Sequence, residues 1–173
     1  MFGLFKKNTA PQANPDLDYI ISTVRYNTEP HDNIPFSEEE RAFFKSLIQQ
    51  LKESGLNPRD IRLTRMSSMG FNVDTHDCYV GKINFYVAPD KFAVIKNGGK
   101  RAAKIFNTKE EADAYITEHE GYFIDIRTGE NRRYMQYLKG ANTVKELHNP
   151  TLEECIATIP RWITYIKYCK RNK

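Results

Sequence analysis

A chain of 173 residues, 40% hydrophobic and 28% charged, is long enough for one domain with a real core and is not the composition of a disordered or fibrous protein. The net charge of +4 permits contact with nucleic acid or an acidic protein and demands neither. No apolar run reaches the length of a membrane span, and the three cysteines show no CxxC pair and no paired framework, so reduced thiols in a cytoplasmic protein are expected.

In chain order, residues 1–13 read as a loose tail. The start, MFGLFKKN, is too short for a secretory leader, and Phe2 stands where N-myristoylation needs glycine. Asn14-Pro15 resembles an N-cap with a first-turn proline, and Leu17, Ile20, Ile21 and Val24 follow at helical spacing, which predicts a short helix over 15–26. A proline-containing linker comes next, so 1–35 is assigned as a tail and 36–173 as a single α+β domain.

Ser37-Glu38-Glu39-Glu40 is a capping box, with Phe43, Phe44, Leu47, Ile48 and Leu51 on one face and Gly55 placed to stop the helix. From Asp60 to Val87 the period changes to two. Ile61/Leu63, Phe71/Val73 and Ile83/Phe85/Val87 alternate with polar neighbours, which predicts antiparallel strands with turns near Ser68-Met69-Gly70 and His76-Asp77.

The segment Lys91–Phe106 predicts a hairpin turning at Asn97-Gly98-Gly99. An even-length loop puts Phe92, Val94, Ala103 and Ile105 on one face. The other face then carries Lys91, Lys100 and Lys104 with Ala93, Ile95 and Ala102 between them. An odd loop would mix the two sets, so the even loop is favoured, and parity leaves Arg101 on the apolar side near the tip. Thr108-Lys109-Glu110-Glu111 is a second capping box, opening a helix that buries Ala112, Tyr115 and Ile116 and ends at Gly121. Two more strands are expected on either side of Thr128-Gly129-Glu130, over 122–127 and 132–138. Thr151-Leu152-Glu153-Glu154 is a third capping box, and Pro160 should kink or restart the helix behind it. The expected fold is therefore α+β: an antiparallel β-sheet of about six strands packed against two to four helices, among them 38–54, 109–119 and 152–170.

Catalytic motifs fail on spacing. His31, His76, His119 and His148 are scattered, and His76-Asp77-Cys78 reads as a turn because adjacent side chains rarely converge on one centre. Asn97-Gly98-Gly99-Lys100 sits at a hairpin tip, whereas a phosphate loop lies between a strand and a helix. No G-x-S-x-G elbow occurs. A metal-dependent nuclease strand would need a second carboxylate between Asp90 and Lys96, and Val94 occupies that place. Asp125-Ile126-Arg127 has arginine where that pattern has lysine.

What remains is charge interleaved with aromatics in three sets: Lys96, Lys100, Arg101 and Lys104; Arg127, Arg132, Arg133, Tyr134 and Tyr137; Arg161, Trp162, Lys167, Lys170 and Arg171. Basic strand faces follow phosphates and exposed rings stack on bases, although charge runs are usually solvated faces and such rings usually pack in cores. Gly99-Lys100-Arg101 and Phe106-Asn107-Thr108-Lys109-Glu110-Glu111-Ala112 resemble the small three-stranded-sheet-and-helix modules at the start of phage and transposon integrases. They also resemble a small bacterial domain of unknown function. The resemblance covers 91–116; no recombinase catalytic residues follow it. The C-terminal part is similar in style to mobile-element proteins of Gram-positive bacteria. The integrase resemblance implies DNA contact through the sheet face, by Lys91, Lys100 and Lys104, and by Arg101 less directly because parity puts it on the apolar face near the tip.

The leading expectation is a non-enzymatic mobile-element accessory protein that binds nucleic acid through a basic β-sheet face, using Lys91, Lys96, Lys100, Arg101, Lys104, Arg132 and Arg133. No catalytic residue, cofactor or metal ligand is assigned. An alternative is a phage- or mobile-element-borne inhibitor, of the anti-defence or anti-CRISPR type, that docks on a host nucleic-acid enzyme. A third is an enzyme whose site is assembled from residues distant in sequence.

Overall fold

The computed structural model describes residues 12–27, 35–66, 70–140 and 142–173. Most of the expected tail, part of the linker after it, and Ser68 and Met69 of the expected turn lie outside the described residues. The chain is α+β.

Helix α1 (Pro15–Ser22) starts where expected, with the Asn14 side chain accepting from the Leu17 amide at 3.1 Å. It stops earlier than its apolar spacing predicts. The Thr23 hydroxyl bonds the carbonyls of Tyr19 and Ile20, and the chain then extends as β1 (Arg25–Tyr26), parallel to β2 (Arg62–Arg65). α1 is part of the fold, because Leu17 and Ile20 are buried in the main core. Helix α2 (Glu38–Glu53) opens on the complete Ser37/Glu40 capping box and buries the five apolar residues that its spacing predicts. After a short helical turn, Pro58–Asp60, the chain forms β2, β3 (Phe71–Asp74) and β4 (Tyr79–Asn84), paired antiparallel.

The two strands expected around Thr128-Gly129-Glu130 belong to different sheets. β4 pairs with β8 (Tyr134–Leu138), which pairs with β9 (Val144–His148), and the large sheet runs β1-β2-β3-β4-β8-β9. Between β4 and β8 the chain makes β5 (Lys91–Lys96), β6 (Ala102–Phe106), α3 (Lys109–Glu118) and β7 (Tyr122–Arg127). These strands form a second sheet, ordered β6-β5-β7. The expected packing of helix 109–119 on the main sheet is thus corrected: α3 covers the small sheet. Residues 88–131 are an insertion in the β4–β8 hairpin.

Two cores result. The main core joins α1, α2 and α4 (Leu152–Arg171) to one face of the large sheet. Phe43 meets Phe85 and Trp162 edge-on or tilted, at 5.7 and 5.5 Å between ring centroids. Each such side chain contributes about 1.5–3 kcal/mol by leaving water. Trp162 is anchored by its indole N–H, which donates to the Gln136 carbonyl at 3.0 Å. A Cβ on Gly81 would lie 2.1 Å from that carbonyl oxygen and 3.0 Å from the indole nitrogen, so only glycine lets α4 seat here. α4 runs unbroken through Pro160, which stands on its exposed side. The second core is Ala93, Val94, Ile95 and Ala112; none of these belongs to the main cluster.

A short ribbon joins the units. Val87 bridges Asn131, the Ala88 amide donates to the Glu130 carbonyl at 2.9 Å, and the Arg132 amide to the Tyr86 carbonyl at 3.1 Å. The Asp90 carboxylate accepts from the Gly129 amide at 2.6 Å. A Cβ on Gly129 would come within 1.6 Å of the Ala88 carbonyl oxygen, so this neck needs glycine as well.

Candidate nucleic-acid interface

The hairpin β5–β6 carries the cations, and its register decides where they point. At the tip Ile95 faces Ala102, as an even loop requires. Ala103 then bulges out of the ladder, and the pairing continues Val94–Lys104, Ala93–Ile105 and Phe92–Phe106. One extra residue reverses the faces for the rest of β6. Lys104 therefore shares a face with Phe92 and Val94, on the side of α3, with its ammonium 5.0 Å from the Phe106 ring centre and 5.6 Å from that of Tyr115. Lys91 alternates to the other side, where its ammonium donates to the Asn107 side chain. The expected segregation of Lys91, Lys100 and Lys104 onto one face is replaced by cations on both faces and at the tip.

The face turned away from α3 is apolar at its centre. Ala93 and Ile95 are buried between Ile105 and Phe123, which are 51% and 44% exposed, with Lys91, Asp125 and Arg127 along the same side. An even loop predicts one apolar face. Small Ala93 lets its neighbours close over it, so both faces of this sheet hold apolar residues.

Lys96, Lys100 and Arg101 are exposed at the tip and have no ion-pair partner among the described residues. Between Asp90 and Glu110 the chain has Lys91, Lys96, Lys100, Arg101, Lys104 and Lys109, and no carboxylate. The acids Glu110, Glu111, Asp113, Glu118 and Glu120 follow in and after α3. The hairpin is thus cationic and α3 acidic, while Asp125 of β7 lies on the face turned away from α3.

The remaining expected cations are engaged elsewhere. Arg132 pairs with Glu130 at 3.2 Å. Arg133 pairs with Glu39 of α2, and its guanidinium lies 5.7 Å from the Phe85 ring centre. Neither joins the hairpin set. In the third set Trp162 is core, and Lys170 pairs with Asp60 at 3.1 Å.

A second polar surface, whose cross-strand alignment the sequence does not show, is the face of the large sheet opposite the helices. Asn72, Lys82, Gln136 and Glu146 align across four strands. The Tyr79 hydroxyl donates to Gln136 and the Tyr134 hydroxyl to Glu146, each at 2.8 Å. Burial, then the Glu146 bond, pushes the Tyr134 phenol up, and burial raises Asp74 against the pull of Arg25. These groups hold their protons more tightly than in water but do not converge. No set of three or more His, Cys, Asp or Glu among the described residues could hold a metal ion. The cysteines are free. Burial, then a hydrogen bond with Cys169, raises the Cys78 thiol, and burial raises Cys155 to about 11, so both are held as thiols rather than nucleophilic thiolates. No helix among the described residues is long and apolar enough to cross a membrane. No family model, curated protein or solved structure matches the chain.

Proposed function

We propose that the protein is a non-enzymatic accessory protein of a mobile element that binds nucleic acid through the small inserted sheet. Phosphates meet Lys96, Lys100 and Arg101 at the hairpin tip, and Lys91 and Lys104 flank them on opposite faces. The supporting observation is the charge contrast between the hairpin and α3: Lys96, Lys100 and Arg101 stand at the tip without ion-pair partners among the described residues, and no carboxylate falls between Asp90 and Glu110. A polyanion approaching this unit is drawn to the hairpin and repelled from α3, which orients it without reading sequence. The mobile-element setting rests on the resemblance of residues 91–116 to integrase modules. Gel-shift titration at low salt with single- and double-stranded DNA and RNA tests the reading. Binding is expected to weaken sharply in Lys100→Glu/Arg101→Glu, and no shift with any of these probes contradicts it.

The exposed Ile105 and Phe123 favour a second reading, an inhibitor that docks this face on a nucleic-acid-processing enzyme. Phe123→Asp separates the two. It would abolish a protein complex, and it leaves a phosphate-driven interaction at the tip in place.

A further inference from the structure

We propose that the pocket between α4 and the β8–β9 hairpin binds a nucleoside phosphate, with its base against tyrosine rings and its phosphate on Arg161 and Lys139. This site lies in the main unit and does not depend on the role given to the insert. The cavity measures 170 Å³. That is below the roughly 300 Å³ at which drug-sized pockets begin, so it suits a single ring system. Its walls include Tyr137 of β8 and Tyr165 and Tyr168 of α4. Tyr165 and Tyr168 are three residues apart on the helix and stack with centroids 6.0 Å apart at 22°.

Charge then specifies the ligand. Arg161 and Lys139 line the same cavity, no carboxylate does, and neither cation has an ion-pair partner among the described residues. A planar π-system carrying a negative group satisfies both halves: rings stack on rings, and a guanidinium fork matches phosphate oxygens. A free nucleotide and the phosphorylated end of a nucleic-acid strand present the same group.

Calorimetric titration of the whole chain with AMP, CMP, GMP and UMP tests this, with the nucleosides, inorganic phosphate and a 5′-phosphorylated oligonucleotide as comparison probes. At least one monophosphate is expected to bind, and its nucleoside and inorganic phosphate to bind more weakly. Arg161→Glu and Tyr168→Ala should each reduce affinity about tenfold or more. Both side chains are exposed, so the variants should fold, and circular dichroism confirms it. Tighter binding of the oligonucleotide than of the monophosphates identifies a strand end as the ligand; the reverse identifies the free nucleotide. Lys100→Glu/Arg101→Glu should leave monophosphate binding intact, so this site and the hairpin tip fail or succeed separately. No heat from any monophosphate at millimolar concentration overturns the proposal. So does binding matched by inorganic phosphate and indifferent to Tyr168→Ala.

Discussion

Arg65 is a charged residue in the middle of a hydrocarbon core. It is 1% exposed, its guanidinium lies 4.1 Å from the Phe71 ring centre, and Glu40 sits 3.2 Å away. Glu40 does two jobs, since its carboxylate also closes the capping box on the Ser37 amide at 3.1 Å. Arg65→Ala would leave that carboxylate buried without its cation. The expected loss is about 3–5 kcal/mol of unfolding free energy, read from urea denaturation. A loss below about 1 kcal/mol would mean that water reaches Glu40 and the pair is not structural. The cap was legible in the sequence because both partners fall within four residues. The ion pair was not, because Arg65 lies 25 positions away, although it falls on the same buried strand face as Leu63. The tyrosine-lined pocket was hidden for the same reason: Tyr137 and Tyr165 meet only once β8 and α4 pack.

At the scale of elements, local chemistry was well marked and non-local pairing was not. Three capping boxes, the Asn-Gly turn and the apolar face of α2 were readable and are present. β7 and β8 were readable as strands, but nothing in Thr128-Gly129-Glu130 says that the chain leaves one sheet for another. β9 lacks the alternation that marks a strand: only Leu147 is partly covered, and the rest of this edge strand is exposed. The bulge at Ala103 has no sequence signature, yet it decides which face Lys104 occupies. The neck is the element most sensitive to a single atom. Gly129→Ala forces the Ala88 carbonyl aside and should break the Ala88–Glu130 and Asp90–Gly129 hydrogen bonds. Amide exchange should accelerate across 86–90 and 129–132, with β2, β3 and β4 protected as before. Uniform acceleration across the large sheet would show that the neck is not an independent unit.

At the scale of the whole molecule, burial of neutral acids predicts alkaline fragility. Burial raises Cys155 from 9.0 to about 11 and Tyr79 from 10.0 to about 12, and Cys78 rises in the same direction. The unfolded chain therefore gives up these protons at lower pH than the folded chain, and ionisation favours unfolding. This contribution is intact below about pH 9 and is lost as pH climbs toward 11–12. The urea midpoint should stay level from neutral pH to about 8.5 and fall beyond 9. A midpoint unchanged at pH 10.5 would contradict the burial of these groups. The net charge is +4, and at the hairpin tip Lys96, Lys100 and Arg101 have no ion-pair partner among the described residues. The central claim is that these cations meet phosphates, and the most direct measurement is fluorescence anisotropy of a labelled oligonucleotide across a salt series. The wild-type chain should show log affinity falling linearly with log salt concentration, and Lys96→Glu/Lys100→Glu/Arg101→Glu should flatten that slope by about 3, one for each phosphate contact. An absence of binding at low salt, or the same slope in both proteins, would contradict the account.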